Sequence, residues 1–376
     1  MLARINDGVC RSAPRQPRAP LALYGAGDLG RLAFDHLRTV GVDVALVVDR
    51  DAARLRSDPF WAGVRLVEPA EAPAEMKETA QLAVCIATVP FCAIGDHLAA
   101  EGWSDIVPFY DLAESQRHRH PLSNGWFAEP LPAGEMQSTA AVLDGWDDDL
   151  SRAHHLQFLA WRRLREEWTF DGAPVTGDNR FFIPEVEPHL EGIRVFVDGG
   201  AHRGGVVERF AAKAGADLAA IVAFEPDENH FAAFGRMQSQ LSPGIAARVR
   251  LEPQALDAVE RRRTFHDGLG YASQFSETGS RILTSRTLDS FGLLPDFVKL
   301  HLEGGELDAL RGGLETIRAS RPVLAVTTYH NADGIWRTPA WLMEHLDDYR
   351  FLMRLHSWCG TGAVVYAIPR EPKVSP

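Results

Sequence analysis

Two acids stand at the ends of successive apolar runs in the second half of the chain, Asp198 after residues 195–197 and Glu225 after residues 220–224. Asp198 leads into Gly199-Gly200-Ala201-His202-Arg203-Gly204-Gly205. Small residues in such a turn let backbone approach a ligand closely, and a strand–turn–helix context places the turn where open α/β sheets bind their ligands. Gly200, Ala201 and Gly204 are therefore read as cradle positions. Asp198 can hold an ammonium group, directly or through water. Glu225, with Pro226 behind it, can accept both hydroxyls of a ribose. Gln254, after a third run at 249–251, lies where a nucleobase commonly rests in such folds. The loop has no Lys-Ser/Thr of a phosphate loop, which argues against phosphoryl transfer.

A second set of chemical groups follows. In Phe297-Val298-Lys299-Leu300-His301-Leu302-Glu303 the alternation sends Lys299, His301 and Glu303 to one side and Val298, Leu300 and Leu302 to the other. This strand is expected beside the one ending at Asp198. His301 titrates near neutrality and is the first choice for a general base. Glu303 orients it or binds substrate hydroxyls, and Lys299 balances charge or fixes a neighbouring loop. His330, after the apolar run 323–327, is the second base, with Asp333 as an orienter; Trp336 packs on a substrate ring or in the core. Arg354 and His356 are weaker candidates for the same pocket. His154 and His155 are adjacent on a helix and point about 100° apart, which is poor for one metal. No stretch has metal-ligand spacing, so no metal ligand is assigned, and dependence on a metal stays open.

The first half carries its own loop. Gly25-Ala26-Gly27-Asp28-Leu29-Gly30 follows the run 21–24 and opens a helical pattern, and Asp49 ends the next run. Gly25, Gly27, Gly30 and Asp49 together match a dinucleotide fingerprint. The fingerprint leaves three readings open: bound NAD, a bound nucleotide-sugar, or a purely structural or substrate-presenting unit.

The elements that must position these residues alternate between strand and helix twice, which specifies two parallel, helix-covered sheets. The expected organisation is a flexible leader at 1–20, a Rossmann-like domain at 21–114, linker and bridging helices at 115–190, a second domain at 191–370 and a tail at 371–376. The last two runs, 349–355 and 363–368, read as an antiparallel pair. At 376 residues two domains are the natural prior. A net charge of −12 argues against binding to nucleic-acid phosphates. No apolar run reaches the ~20 residues of a membrane span. The four scattered cysteines suit a reducing cytoplasm. Edge strands on both sheets can pair between chains, so a homo-oligomer is one expectation.

Residues 144–369 resemble the FkbM family of methyltransferases. The resemblance is carried by Phe196-Val-Asp-Gly-Gly-Ala-His-Arg-Gly, Ala223-Phe-Glu-Pro-Asp, Thr287-Leu-Asp-Ser-Phe, Val298-Lys-Leu-His-Leu-Glu-Gly-Gly-Glu, Leu310-Arg-Gly-Gly and Tyr329-His-Asn-Ala-Asp-Gly-Ile-Trp. It implies a class I methyltransferase fold with an antiparallel edge pair. It also implies S-adenosylmethionine as cofactor and methylation, usually of an oxygen, on a small-molecule or glycan acceptor such as a sugar or natural product. The chain departs from the family at His301, where the motif Lys-x-Asp-x-Glu-Gly has an aspartate. Two rival readings stand beside it. One is an NAD-dependent oxidoreductase, although residues 84–88 lead into no Tyr-x-x-x-Lys pair; the other is a binding protein without catalysis.

Overall fold

The computed structural model describes residues 1–122, 126–268 and 270–370, so the expected tail at 371–376 and three residues of the expected linker lie outside the described residues. The chain divides into two compact units that are not contiguous in sequence. Unit 1 comprises Met1–Pro130, Leu156–Thr169 and Ser357–Thr361; unit 2 comprises Leu131–His155, Phe170–His356 and the chain from Gly362. The expected linker at 115–190 is thus shared out between both units.

Unit 1 is built on five parallel strands: β1 (Leu21–Tyr24), β2 (Val44–Val48), β3 (Leu66–Val67), β4 (Gln81–Val84) and β5 (Asp105–Pro108), in the order β3-β2-β1-β4-β5. Strands covered on both faces read as unbroken apolar runs, and Leu21, Ala22 and Leu23 are completely buried. The segment read as a leader carries a short helix, Leu2–Asp7, with Ile5 buried, and Arg15 and Arg18 both pair with Asp105. The helix Asp149–Leu164 ends before Trp168, and Arg165 takes a left-handed backbone conformation at φ 57°. Its guanidinium lies 2.6 Å from Asp111, with both side chains almost fully buried.

Unit 2 holds a seven-stranded sheet ordered β14-β15-β13-β12-β6-β7-β8. Its strands are β6 (Val195–Gly199), β7 (Ala220–Phe224), β8 (Val249–Glu252), β12 (Phe297–Leu300), β13 (Val323–Thr327), β14 (Tyr349–Leu355) and β15 (Ala363–Pro369). All are parallel except β15, which runs antiparallel to both β13 and β14. The expected parallel sheet with an antiparallel edge pair is what forms. A separate antiparallel sheet of β9 (Arg262–His266), β10 (Gln274–Phe275) and β11 (Arg281–Thr284) was not legible beforehand, because its strands are short and polar. Beneath the central strands Phe196 stacks on Phe297 at 5.2 Å and meets Phe210 at 4.5 Å, anchoring β6 to β12.

The outer edge of β14 is not open. Its Phe351, Met353 and Leu355 amides donate to Asp147 Oδ2, Ser151 Oγ and His154 Nδ1, at 2.7, 2.9 and 3.2 Å. The side chains of one segment thus stand where a neighbouring strand's carbonyls would be, and pairing between chains along this edge is blocked.

Replacing Asp111 with alanine leaves the buried Arg165 guanidinium without its counter-ion. Chemical denaturation of this variant should show a loss of about 3–5 kcal/mol in unfolding free energy.

Candidate functional site

Adjacent parallel strands carry side chains of matching register to the same side, and β12 pairs with β6 so that Lys299 stands opposite Asp198. Their charged ends lie 2.8 Å apart, at 1% and 0% exposure respectively. The lysine ammonium also donates to the Gly199 and Gly200 carbonyls, at 3.3 and 2.7 Å. It therefore fixes the loop and balances the acid at once. Being buried under the loop, Lys299 is a positioning residue. Asp198 pairs with it as an ion without hydrogen-bond geometry, and neither carboxylate oxygen accepts a hydrogen bond. A buried carboxylate in that condition is an acceptor ready for a ligand's donor.

The glycine turn is required by contact as well as by conformation. Gly200 sits at φ +73°, and a Cβ there would stand 1.9 Å from the His301 carbonyl oxygen. Ala201 is buried at the foot of the turn, and Gly204, at φ +88°, precedes the helix Gly205–Ala211. Glu225, at the end of β7, accepts from the His202 amide at 2.6 Å and from the Asp227 amide at 2.9 Å, one bond on each oxygen. Each oxygen keeps a second lone pair for a hydroxyl. Burial pushes its carboxyl up to about 7 against the opposing pull of those amides. Pro226 and Gln254 are half-buried next to the ends of β7 and β8. The cradle, an Asp198 that accepts no hydrogen bond and a Glu225 with a lone pair to spare on each oxygen have the chemistry to fit a nucleoside bearing an ammonium group.

Beyond Lys299 the strand stops at Leu300, earlier than the alternation suggested, and the chain turns. Glu303 adopts φ +49°, a conformation that costs a residue with a side chain on the order of 1–3 kcal/mol. The turn nevertheless sends Glu303 back onto the histidines. Its two oxygens lie 2.9 Å from His301 Nε2 and 3.4 Å from His330 Nε2, and the two imidazoles stack at 5.0 Å. His301, Glu303 and His330 thus come together as expected, joined by three residues to which no role was given. Glu306 holds His330 Nδ1 at 2.7 Å and is itself held by Thr327 Oγ1 at 2.7 Å and by the Leu302 and Gly304 amides, both at 3.0 Å. Tyr329 hydroxyl meets His301 Nε2 at 3.2 Å, and Arg180 donates to that hydroxyl at 2.9 Å.

Electrostatics separate the two histidines. Burial, reinforced by Arg180, drives His301 well below its ordinary range. Burial also pushes His330 down, but Glu303 and Glu306 more than offset it and His330 ends raised. Glu303 is pushed up to about 7 by burial. Although no single stretch carries metal-ligand spacing, ligand atoms of His301, Glu303 and His330 come from separate segments to lie within 4.8 Å of one another.

Other expected residues go elsewhere. Asp333 pairs with Arg337 at 2.7 Å, and the orienting carboxylate on His330 is Glu306 instead. Trp336 donates to Glu135 at 3.3 Å. Arg354 is buried between Asp148 and Glu185, and His356 between the Thr176 carbonyl and Tyr366 hydroxyl, so both brace the sheet. His155 bridges Trp146 and the Ile335 carbonyl.

In unit 1 the glycine loop has fingerprint geometry. Gly25 is at φ +102°, and a Cβ on Gly30 would meet the Gly25 carbonyl at 2.1 Å, while Gly27 faces open space. Asp49 accepts from the Ala26 and Asp51 amides at 2.7 and 2.8 Å, one on each oxygen, as Glu225 does in unit 2.

Residues 198–356 match the family model described as the methyltransferase FkbM domain, so the second half of the chain carries a domain of that type. An FkbM methyltransferase from Methylobacillus flagellatus KT superposes with a TM-score of 0.62 at 15% identity, covering 92% of this chain and 89% of that one. This likeness shows a shared fold. A methyltransferase from Geobacter sulfurreducens aligns at 13% identity and a TM-score of 0.31, over 61% of this chain and 95% of its own. The O-methyltransferase TomG from Streptomyces achromogenes, solved in complex with S-adenosylmethionine, aligns at 14% identity and a TM-score of 0.32, over 60% and 91%. No curated protein sequence matches the chain.

Because a Cβ at position 200 collides with backbone, Gly200→Ala must part the loop from the end of β12. Thermal unfolding should show the variant destabilised by about 1–3 kcal/mol, in the range typical of strained-backbone substitutions.

Proposed function

We propose that the chain is an S-adenosylmethionine-dependent methyltransferase that methylates a hydroxyl group of a small-molecule or glycan acceptor, such as a sugar or natural product. The observation that carries this reading is the placement of a buried acid that accepts no hydrogen bond, and a glycine cradle, directly beside a largely buried group of two histidines and a carboxylate. The cofactor would supply an activated methyl group on a sulfonium, leaving the protein to align the acceptor and remove its proton.

Asp198 would hold the amino group of the methionine portion, Glu225 the ribose hydroxyls, and the segment around Gln254 the adenine. Lys299 would keep the loop in place without touching either substrate. An aliphatic hydroxyl gives up its proton reluctantly, so a basic environment is needed at the acceptor oxygen. His301, Glu303 and His330 form that environment, and Glu306 holds the His330 ring in one orientation. The polar character of this edge favours a hydroxyl acceptor.

Calorimetry tests the reading. The protein should take up S-adenosylmethionine with micromolar affinity, and Asp198→Ala and Glu225→Ala should each weaken it at least tenfold. A well-folded protein that binds NAD but not S-adenosylmethionine would sink the proposal.

Hydroxyl donors favour the ionised form of Glu225, whose carboxyl in the free protein is pushed up to about 7. Affinity for S-adenosylmethionine should therefore fall as pH drops below about 7 and level off above it. Glu225→Gln should bind more weakly and lose that slope.

A further inference from the structure

We propose that His301, Glu303 and His330 bind a divalent transition-metal cation, with Glu306 as the carboxylate that orients the ligand His330. The cation's purpose rests on the hydroxyl-methylation reading, but its binding does not. Two imidazoles and one carboxylate offer a mixed nitrogen and oxygen donor set, which suits manganese, iron, cobalt, nickel or zinc. Magnesium and calcium prefer oxygen alone.

Three observations support the site. The first is spacing. Donors bound at ~2.1 Å stand roughly 3 Å apart around an octahedral ion and somewhat further apart around a tetrahedral one. Glu303 already lies 2.9 Å from His301 Nε2 and 3.4 Å from His330 Nε2. Those contacts use different oxygens of Glu303, and one ligand atom from each of the three residues falls within 4.8 Å of the others, so side-chain adjustment closes the group around an ion. The second is an orphan: His330 is 4% exposed, and its Nε2 makes no hydrogen bond while facing the cluster. The third is support behind that ring. Metal-bound histidines almost always donate their other ring nitrogen to a carboxylate or carbonyl, which fixes the tautomer and aims the lone pair. Glu306 does this at 2.7 Å, and its own oxygens are held by Thr327 and two amides.

One contact must give way: the Tyr329 hydroxyl, 3.2 Å from His301 Nε2, has to turn aside for the ion. Three protein ligands leave coordination positions for water or an acceptor oxygen. An alcohol bound there would be far more acidic than in water, which is the help a hydroxyl acceptor needs.

Cobalt(II) titration of the chelator-treated protein, followed by visible absorption and calorimetry, tests the proposal. One equivalent should bind with micromolar or tighter affinity, and millimolar magnesium should not displace it. Glu303→Gln and His330→Ala should each weaken binding at least thirtyfold, Glu306→Gln about tenfold, and the exposed His97→Gln not at all. Absence of stoichiometric binding by the folded protein overturns the proposal, as does full binding by folded Glu303→Gln and His330→Ala variants. Should circular dichroism show those variants unfolded, X-ray absorption of the cobalt-loaded protein decides. Two imidazole donors with oxygen sustain the site, and one or none refutes it. S-adenosylmethionine uptake by the same preparation is measured separately, so failure of the cation site and failure of the cofactor reading are distinguishable.

Discussion

A lysine and an aspartate face each other in the core of unit 2, on neighbouring strands and out of reach of water. Almost everything chemical in that unit is arranged around the pair. Removing two charges from solvent is costly unless their remaining hydrogen-bonding capacity is used. The lysine uses its capacity on the carbonyls of Gly199 and Gly200, which sets the path of the loop. The aspartate keeps its own capacity unspent. The loop lies so close to the end of β12 that position 200 has no room for a side chain. One electrostatic contact thereby links the cradle on β6 to the turn that presents His301 and Glu303.

That turn is where pattern reading from the chain alone reached its limit. Alternation along a strand predicts a common side for Lys299, His301 and Glu303, yet the strand ends at Leu300 and Glu303 reaches the cluster through a left-handed residue. The convergence was anticipated correctly for an incomplete reason. Glu306 was visible only as part of a family motif, because its partners, Thr327 and His330, are more than twenty positions away. Arg180 belongs to a segment with no periodic signal, and nothing local distinguishes it from a surface arginine. The possibility of a three-ligand group was invisible for the same reason: two strand ends contribute to it, and spacing rules examine one stretch at a time.

The loops with glycines and acids were legible because their function requires local geometry. A strand, a tight turn and a helix start must follow one another directly, so the requirement is written in consecutive residues. Even there, residue type did not settle use. Asp49 and Glu225 occupy corresponding places in their respective sheets, and each accepts one amide of its glycine loop and one from the residue two positions on, so these contacts do not separate a ligand site from a structural one. Arg354 and His356 show the opposite error, since polar residues near a sheet edge suggested a pocket and both proved to be braces.

The cover over β14 bears on how the molecule is made. The three side chains that occupy its outer amides come from residues 147–154, some two hundred positions before the strand itself. A ribosome releases the chain from its amino end, so the cover has emerged long before the strand that needs it. When β14 and β15 finally arrive, they close the sheet against a partner already in place. That edge of the sheet is then shielded from other nascent chains from the moment it forms.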